Sequence, residues 1–217
     1  MIEGVEVAID REAVVVTARE PLTVLSSAFV GGGLGAARAI VNLHVRKNIP
    51  EAETEGLLPA FVERREIRGP WIGLLTSAWT EKAVVAEADG AGLTALAVVT
   101  VGLSNRITAG RTSIGVWAPT TINAIVVVNG DPEPAALVNA VMTVTEVKTS
   151  LLASVDLRCD DGRVASGTST DAVVVAATGR GPRRRFGGPI SDLGWVVARA
   201  SHDALDAGIR RWIAEHR

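Results

Sequence analysis

Ile122-Asn123-Ala124-Ile125-Val126-Val127-Val128 is the most hydrophobic strand-like run of the chain, and Asn129-Gly130-Asp131-Pro132 and then Glu133-Pro134 follow it directly. Seven residues rich in Ile and Val, with no alternation of polar and apolar positions, predict a β-strand buried on both faces. The Asn-Gly-Asp-Pro stretch is turn chemistry. Proline fits the first turn of a helix, where its missing N–H does no harm, so a long helix is expected over residues 134–153.

Working outward toward the N-terminus, residues 72–77, 83–88 and 94–102 read as strands. Asp89-Gly90-Ala91-Gly92 turns the second into the third, with Asp-Gly expected to supply the positive φ angles of the hairpin. Residues 5–10, 13–17 and 22–30 read as a three-stranded antiparallel start. Between these groups, Ala36, Ile40 and Leu43 share one helical face and predict a helix over 36–45. A second helix is expected over 52–65, broken near Leu58 because proline inside a helix costs about 3 kcal/mol. Toward the C-terminus, residues 157–158, 164–166 and Ala172–Ala177 read as strands. The Gly-, Pro- and Arg-rich segment 178–189 reads as a loop, and Ser191-Asp192 caps a last helix reaching Glu215. The order does not alternate strictly as βαβα. It predicts an α+β fold, a layered single domain over residues 1–217 with a mixed, largely antiparallel sheet packed by about four helices, for which an α/β/β/α sandwich is one arrangement.

The chain has 217 residues, 47 % of them hydrophobic and 21 % charged, and a net charge of −2. It has no Tyr and only three Phe, so its core must be built from many small β-branched contacts. The acidic balance speaks against nucleic-acid binding, and the short run Arg183-Arg184-Arg185 reads as a solvated loop. Cys159 is the only cysteine, which excludes an intrachain disulfide. No basic segment followed by an apolar run opens the chain, and no uninterrupted stretch of about 18 apolar residues occurs, so neither a signal peptide nor a membrane span is expected. The expected location is the cytoplasm. Whether the chain forms a homo-oligomer stays open.

Gly31-Gly32-Gly33-Leu34-Gly35-Ala36 fits the loose pattern G-x-G-x-x-A, which in dinucleotide sites lets the backbone approach a pyrophosphate at a helix N-terminus. The hairpin-like strands before it, and the lack of a second strand ending in an acid, weaken that reading. A turn that brings backbone N–H groups to another ligand, or a purely structural turn, are the alternatives. His44, His202 and His216 lie far apart, without metal-ligand spacing. Gly102-Leu103-Ser104-Asn105 ends an apolar strand, a usual place for a reactive loop. In Thr145-Glu146-Val147-Lys148-Thr149 the acid and the base point about 200° apart on a helix. One of them faces inward, and Glu146 is the better candidate. Ser166-Gly167-Thr168-Ser169-Thr170-Asp171 precedes the buried run 172–177, where an acid is costly to bury unless paired.

Taken together these segments resemble the adenosylcobinamide amidohydrolase family. Gly102-Leu103-Ser104-Asn105, then Ala109-Gly110, then Thr121-Ile122-Asn123 leading into Val126-Val127-Val128-Asn129 is similar to the family's central pattern, as are residues 145–149 and 167–176. Leu25-Ser26-Ser27-Ala28, the glycine run and Asn42 also fit, and the resemblance extends over residues 14–205. It implies hydrolysis of the amide that joins the aminopropanol arm to the corrin ring, giving adenosylcobyric acid and 1-amino-2-propanol in corrinoid salvage. The cobalt then arrives with the corrinoid substrate, and the protein needs no cofactor or metal of its own. The sequence departs from the family where Gly-Thr-His-Thr is usual before the last helix. Gly188-Pro189-Ile190-Ser191 stands there, with Ile190 at the histidine position. His44 stands where a different polar residue is more usual.

Amide hydrolysis needs a nucleophile, a stabilised oxyanion and an acid for the leaving amine. Ser104, Thr168 and Thr170 compete for the nucleophile, unless a carboxylate activates water. Glu146 or Asp171 is the expected base. Asn105 and Asn123 are expected to hold the oxyanion, and Gly32, Gly33, Asn42 and His44 to contact substrate. A broad cleft lined by apolar residues and by Trp71, Trp79 or Trp117 would take the ring. The rivals are a non-catalytic corrinoid-binding or sensing protein, an amidohydrolase with a different substrate, and a small-molecule enzyme that uses the glycine loop for phosphate.

Overall fold

The computed structural model describes residues 1–115 and 120–216. In chain order the elements are β1 (Val5–Ile9), β2 (Ala13–Ser26), β3 (Gly33–His44), α1 (Leu57–Arg64), β4 (Trp71–Thr76), β5 (Val84–Gly90), β6 (Leu93–Val101), β7 (Arg106–Ile107), β8 (Ile122–Val128), β9 (Asp131–Pro132), α2 (Pro134–Ser154), β10 (Gly167–Thr168), β11 (Ala172–Ala177), β12 (Arg183–Arg184) and α3 (Asp192–Glu215). Eight strands form one sheet in the order β4-β3-β2-β11-β8-β6-β5, with β1 paired to β2. The pairs β3/β4 and β8/β11 are parallel and the other pairs of this sheet are antiparallel.

This sheet folds back on itself. β2 and β3 pair along their whole length, but their register slips between Thr17 and Leu22, where the ribbon bends. The half carrying β4 thereby comes to lie over the half carrying β6, β8 and β11. Val14, Val16, Ile40 and Leu74 from one half pack on Leu96, Val98, Ile125, Val127 and Val174 from the other. The alternate residues of the second half, Ala97, Val126, Val128 and Val175 among them, face α2 and α3. On the far side, Leu58, Phe61 and Val62 of α1 cover Val41 and Leu43. The result is a four-layered α/β/β/α arrangement, an α+β fold with three α-helices described.

The region around 36–45 corrects the helix expected there. Those residues form β3, a central strand with neighbours on both edges and layers on both faces. From Ala39 to Leu43 its burial is continuous, so the polar/apolar alternation of a half-exposed strand is missing there, and the spacing of Ala36, Ile40 and Leu43 imitates a helix. The second predicted helix shrinks to a 3-10 turn at Glu51–Glu53 and the short α1, with Pro59 tolerated in its first turn. The hairpin between β5 and β6 turns on Ala91 and Gly92, with φ of 51° and 75°, two residues later than Asp-Gly predicts. Ser191 caps α3 as expected, accepting a hydrogen bond from Gly194 N at 3.1 Å. α2 is long and apolar enough to cross a membrane by length and composition. Here it packs on β11 and α3, and Ala136, Leu137, Ala140, Val144 and Leu152 sit in the core.

Candidate active site

β8 and β11 start side by side, with Ala172 opposite Asn123. The segment leading into β11 is pinned at this end by one carboxylate. Asp171 Oδ2 accepts from Lys148 Nζ of α2 and, at 3.0 Å, from Thr168 N. Asp171 Oδ1 accepts from the Thr168 hydroxyl and, at 3.0 Å, from Ile122 N at the start of β8. Lys148 is 8 % exposed and Thr168 5 %. A buried carboxylate is tolerated when it is paired and hydrogen-bonded, and here one side chain ties a helix, a strand and a loop together. Gly167 is required beside it, because a Cβ there would collide with Asp171 and come within 2.8 Å of Lys148 Nζ.

A second, uncharged cluster lies on the opposite face of the sheet, where the core between the two halves of the sheet ends. Asn42 Nδ2 donates to Thr100 Oγ1 at 2.9 Å. Asn123 Nδ2 donates to Asn42 Oδ1 at 2.8 Å and to the Leu75 carbonyl at 3.0 Å. Asn42, Thr100 and Asn123 are each 1 % exposed. The cluster borders a small cavity of about 160 Å3 lined by Ser27, Phe29, Leu74, Leu75, Asn123, Thr170 and Ala172. A larger cleft of about 600 Å3 opens beside the next residues of the same strand ends and includes Ser77, Gly102, Ser104 and Thr120 in its wall. Ser77 and Thr120 are joined through their hydroxyls at 3.1 Å.

The structure thus brings Asn42, Ser104, Asn105, Asn123, Thr168, Thr170 and Asp171 to one end of the sheet, on loops and strand ends. Asn105 Nδ2 donates to the Ser169 hydroxyl and so connects the loop after β6 to the loop before β11. Four of the expected groups are placed as follows. Glu146 is exposed on α2, and Lys148, two positions on, is the residue that faces inward. Asp171 has two donors on each oxygen and braces the loop against α2 and β8. The two amide hydrogens of Asn123 are both engaged, by Asn42 Oδ1 and the Leu75 carbonyl. Gly32 and Gly33 turn β2 into β3 with no helix following, and they line neither cavity. A Cβ on Gly32 would come within 2.6 Å of the Ala28 carbonyl, which is why glycine stands there.

His44 is held with Nδ1 3.0 Å from the Ala78 carbonyl and stacks on Trp79. Trp79 lines the larger cleft, Trp71 packs against the core under α1, and Trp117 lies outside the described residues. Ile190, at the position of the family's histidine, is 99 % exposed. Its loop rests on α2 through Gly187, whose carbonyl faces Thr143 Oγ1 at 3.4 Å, and Ile190 lines neither cavity. In the sequence Ser27 stands out only within the family resemblance, and Lys148 ranks behind Glu146 as the inward-facing residue. The signal for Lys148 was present, since an acid at the head of a buried strand requires a cation. Among the described residues, no three His, Cys, Asp or Glu side chains converge as a metal site.

A search of curated proteins finds no match. Among solved structures, a β-aminopeptidase from Burkholderia sp. aligns over 93 % of this chain and 79 % of its own, with 14 % identity and a TM-score of 0.51. This likeness concerns the fold. The PH0078 protein from Pyrococcus horikoshii OT3 aligns over 97 % of this chain and 80 % of its own, with 15 % identity and a TM-score of 0.49. The sequence pattern of adenosylcobinamide amidohydrolases matches residues 1–217, the whole chain, and the protein therefore belongs to the adenosylcobinamide amidohydrolase family and is an amide-hydrolysing enzyme.

Proposed function

We propose that the chain hydrolyses the amide between the corrin ring and its aminopropanol arm at the small cavity, with the Thr170 hydroxyl as nucleophile. The observation that carries this reading is the position of Thr170. It lines the cavity beside Ser27 and Asn123, on a loop fixed one residue later by the Asp171 brace. The competing nucleophiles have other surroundings. The Thr168 hydroxyl donates to Asp171 and is buried, and Ser104 sits in the larger cleft. A carboxylate-activated water has no support, since Asp171 is engaged by four donors and Glu146 faces solvent.

The Thr170 oxygen bonds to the amide carbon, and its proton passes to the departing nitrogen as the C–N bond breaks. 1-Amino-2-propanol leaves, and water then cleaves the ester to release adenosylcobyric acid. Asn105, which retains one amide hydrogen beyond its bond to Ser169, is assigned to the developing oxyanion. Asn42 and Asn123 hold the cavity wall, and the larger cleft with Ser104 receives the body of the corrinoid. Cavities of 300–1,000 Å3 are usual for small-molecule ligands, so a corrinoid would fill the cleft and extend beyond it. In this reading the enzyme uses no cofactor of its own, the cobalt belongs to the substrate, and the work is done in the cytoplasm as part of corrinoid salvage.

The test is release of 1-amino-2-propanol from adenosylcobinamide by the wild type and by Thr170→Ala, Thr168→Ala and Ser104→Ala. Loss confined to Thr170→Ala, with a raised KM in Ser104→Ala, supports the assignment. Retention of activity within tenfold in Thr170→Ala, an effect below 1.4 kcal/mol, removes it.

A further inference from the structure

The larger cleft carries aromatic plates that hydrolysis at the small cavity does not use. Trp79 is 56 % exposed, and one face of its indole is backed by the His44 imidazole, with ring centroids 4.8 Å apart and planes 14° from parallel. The imidazole is itself fixed against the Ala78 carbonyl, so the plate is set before any ligand arrives. The last turn of α3 adds a second stack, Trp212 on His216, with centroids 4.0 Å apart. Several of the cleft's charges are matched internally. Lys82 pairs with Glu215 at 2.6 Å, and Arg211 donates to the Lys82 carbonyl at 2.9 Å. Besides the Lys47 side chain, what the cleft offers a ligand is π-surface and the hydroxyls of Ser77 and Ser104.

We infer that Trp79 is the platform for the adenine ring of the substrate's adenosyl group. This rests on the corrinoid reading of the preceding subsection. The corrin macrocycle itself fits the plate poorly, because its axial ligands and peripheral arms keep an indole off its faces. Adenine is flat, open on both faces and uncharged, and it stacks on an indole without displacing a counter-ion. The cleft adjoins the small cavity along the same strand ends, so one substrate can place its arm in the cavity and its adenosyl group on the plate. Trp79 acts in binding and leaves the bond-breaking step to the small cavity.

The experiment compares Trp79→Ala and Trp79→Phe with the wild type on adenosylcobinamide and on methylcobinamide, in which a methyl group replaces the adenosyl ligand. Binding of 5′-deoxyadenosine is measured by calorimetry in parallel. Trp79→Ala is expected to raise KM for adenosylcobinamide by roughly tenfold to a hundredfold, the usual loss for one base–aromatic stack. The KM for methylcobinamide should rise far less, and Trp79→Phe should recover most of the loss. 5′-Deoxyadenosine should bind the wild type and lose the same factor in Trp79→Ala. Equal changes for both corrinoids, no change for either, or undiminished 5′-deoxyadenosine binding in Trp79→Ala would overturn the inference. If the wild type hydrolyses neither corrinoid, the hydrolase reading fails, while the 5′-deoxyadenosine titration still decides whether Trp79 is the platform.

Discussion

Two polar clusters flank the start of β11, one on each face of the sheet, and they solve the same problem differently. On the helix face, Lys148, Asp171 and Thr168 form a charged cluster whose carboxylate is saturated by four donors. On the inner face, Asn42, Asn123 and Thr100 form a neutral cluster that ends at an open cavity with Ser27 and Thr170. In the charged cluster the carboxylate has two donors on each oxygen. The neutral one borders space. A buried charge near a site is commonly read as catalytic; here its four hydrogen bonds hold the loop before β11, and the proposed reaction is placed on the other face.

Substitutions can break or sharpen that contrast. The largest effect is expected for Thr170→Ala, on the cavity side. Turnover should fall at least about a thousandfold, about 4 kcal/mol of transition-state stabilisation, with an unchanged melting temperature. On the brace side, Asp171→Ala leaves Lys148 buried without its partner and should cost about 3–5 kcal/mol in urea denaturation. Pairing it with Lys148→Met should restore much of that, since an apolar replacement of a buried ion pair is often neutral. Gly167→Ala forces a methyl group against the same pair and should cost about 1–3 kcal/mol, read as a lowered denaturation midpoint. A double-mutant cycle of Asn42→Ala and Asn123→Ala should give a coupling of about 0.5–3 kcal/mol, because each amide satisfies the other. Glu146→Ala, exposed on the same helix as Lys148, should change stability by no more than about 0.5 kcal/mol and leave turnover as it was. A large Glu146 effect would return the acid–base role to α2's outer face.

Much of this architecture is legible in the residues, and the places where it is not have physical causes. The runs at Ile122–Val128 and Ala172–Ala177 are strands for the reason their composition suggests, β-branched side chains buried on both faces. β3 is continuously buried only in its second half, Ala, Arg and Asn dilute its pattern, and a spacing of three and four residues arises by chance. The bend at Thr17/Leu22 that folds one sheet into two layers leaves only Arg19-Glu20-Pro21 as a trace. In the candidate site, the segment 167–171 was recognisable from its small and hydroxylated residues, and Asn123 from its polar side chain in an apolar strand. Which of Glu146 and Lys148 faces inward depends on Asp171, 23 residues further on, and helical periodicity alone does not decide it. Ser27 was hidden because its turn becomes meaningful only when β2 and β11 are seen to pair. Its backbone N–H donates to the Val173 carbonyl at 3.0 Å, and its hydroxyl accepts from Val173 N at 3.1 Å.

The most direct measurement is peptide mapping of the enzyme quenched during turnover of adenosylcobinamide. An ester-linked corrinoid adduct is expected on the peptide that contains Thr170, absent from Thr170→Ala and lost on mild base treatment. An adduct on Ser27, Ser104 or Thr168, or full turnover by Thr170→Ala with no adduct, would contradict the assignment of the chemistry to the neutral face of the sheet.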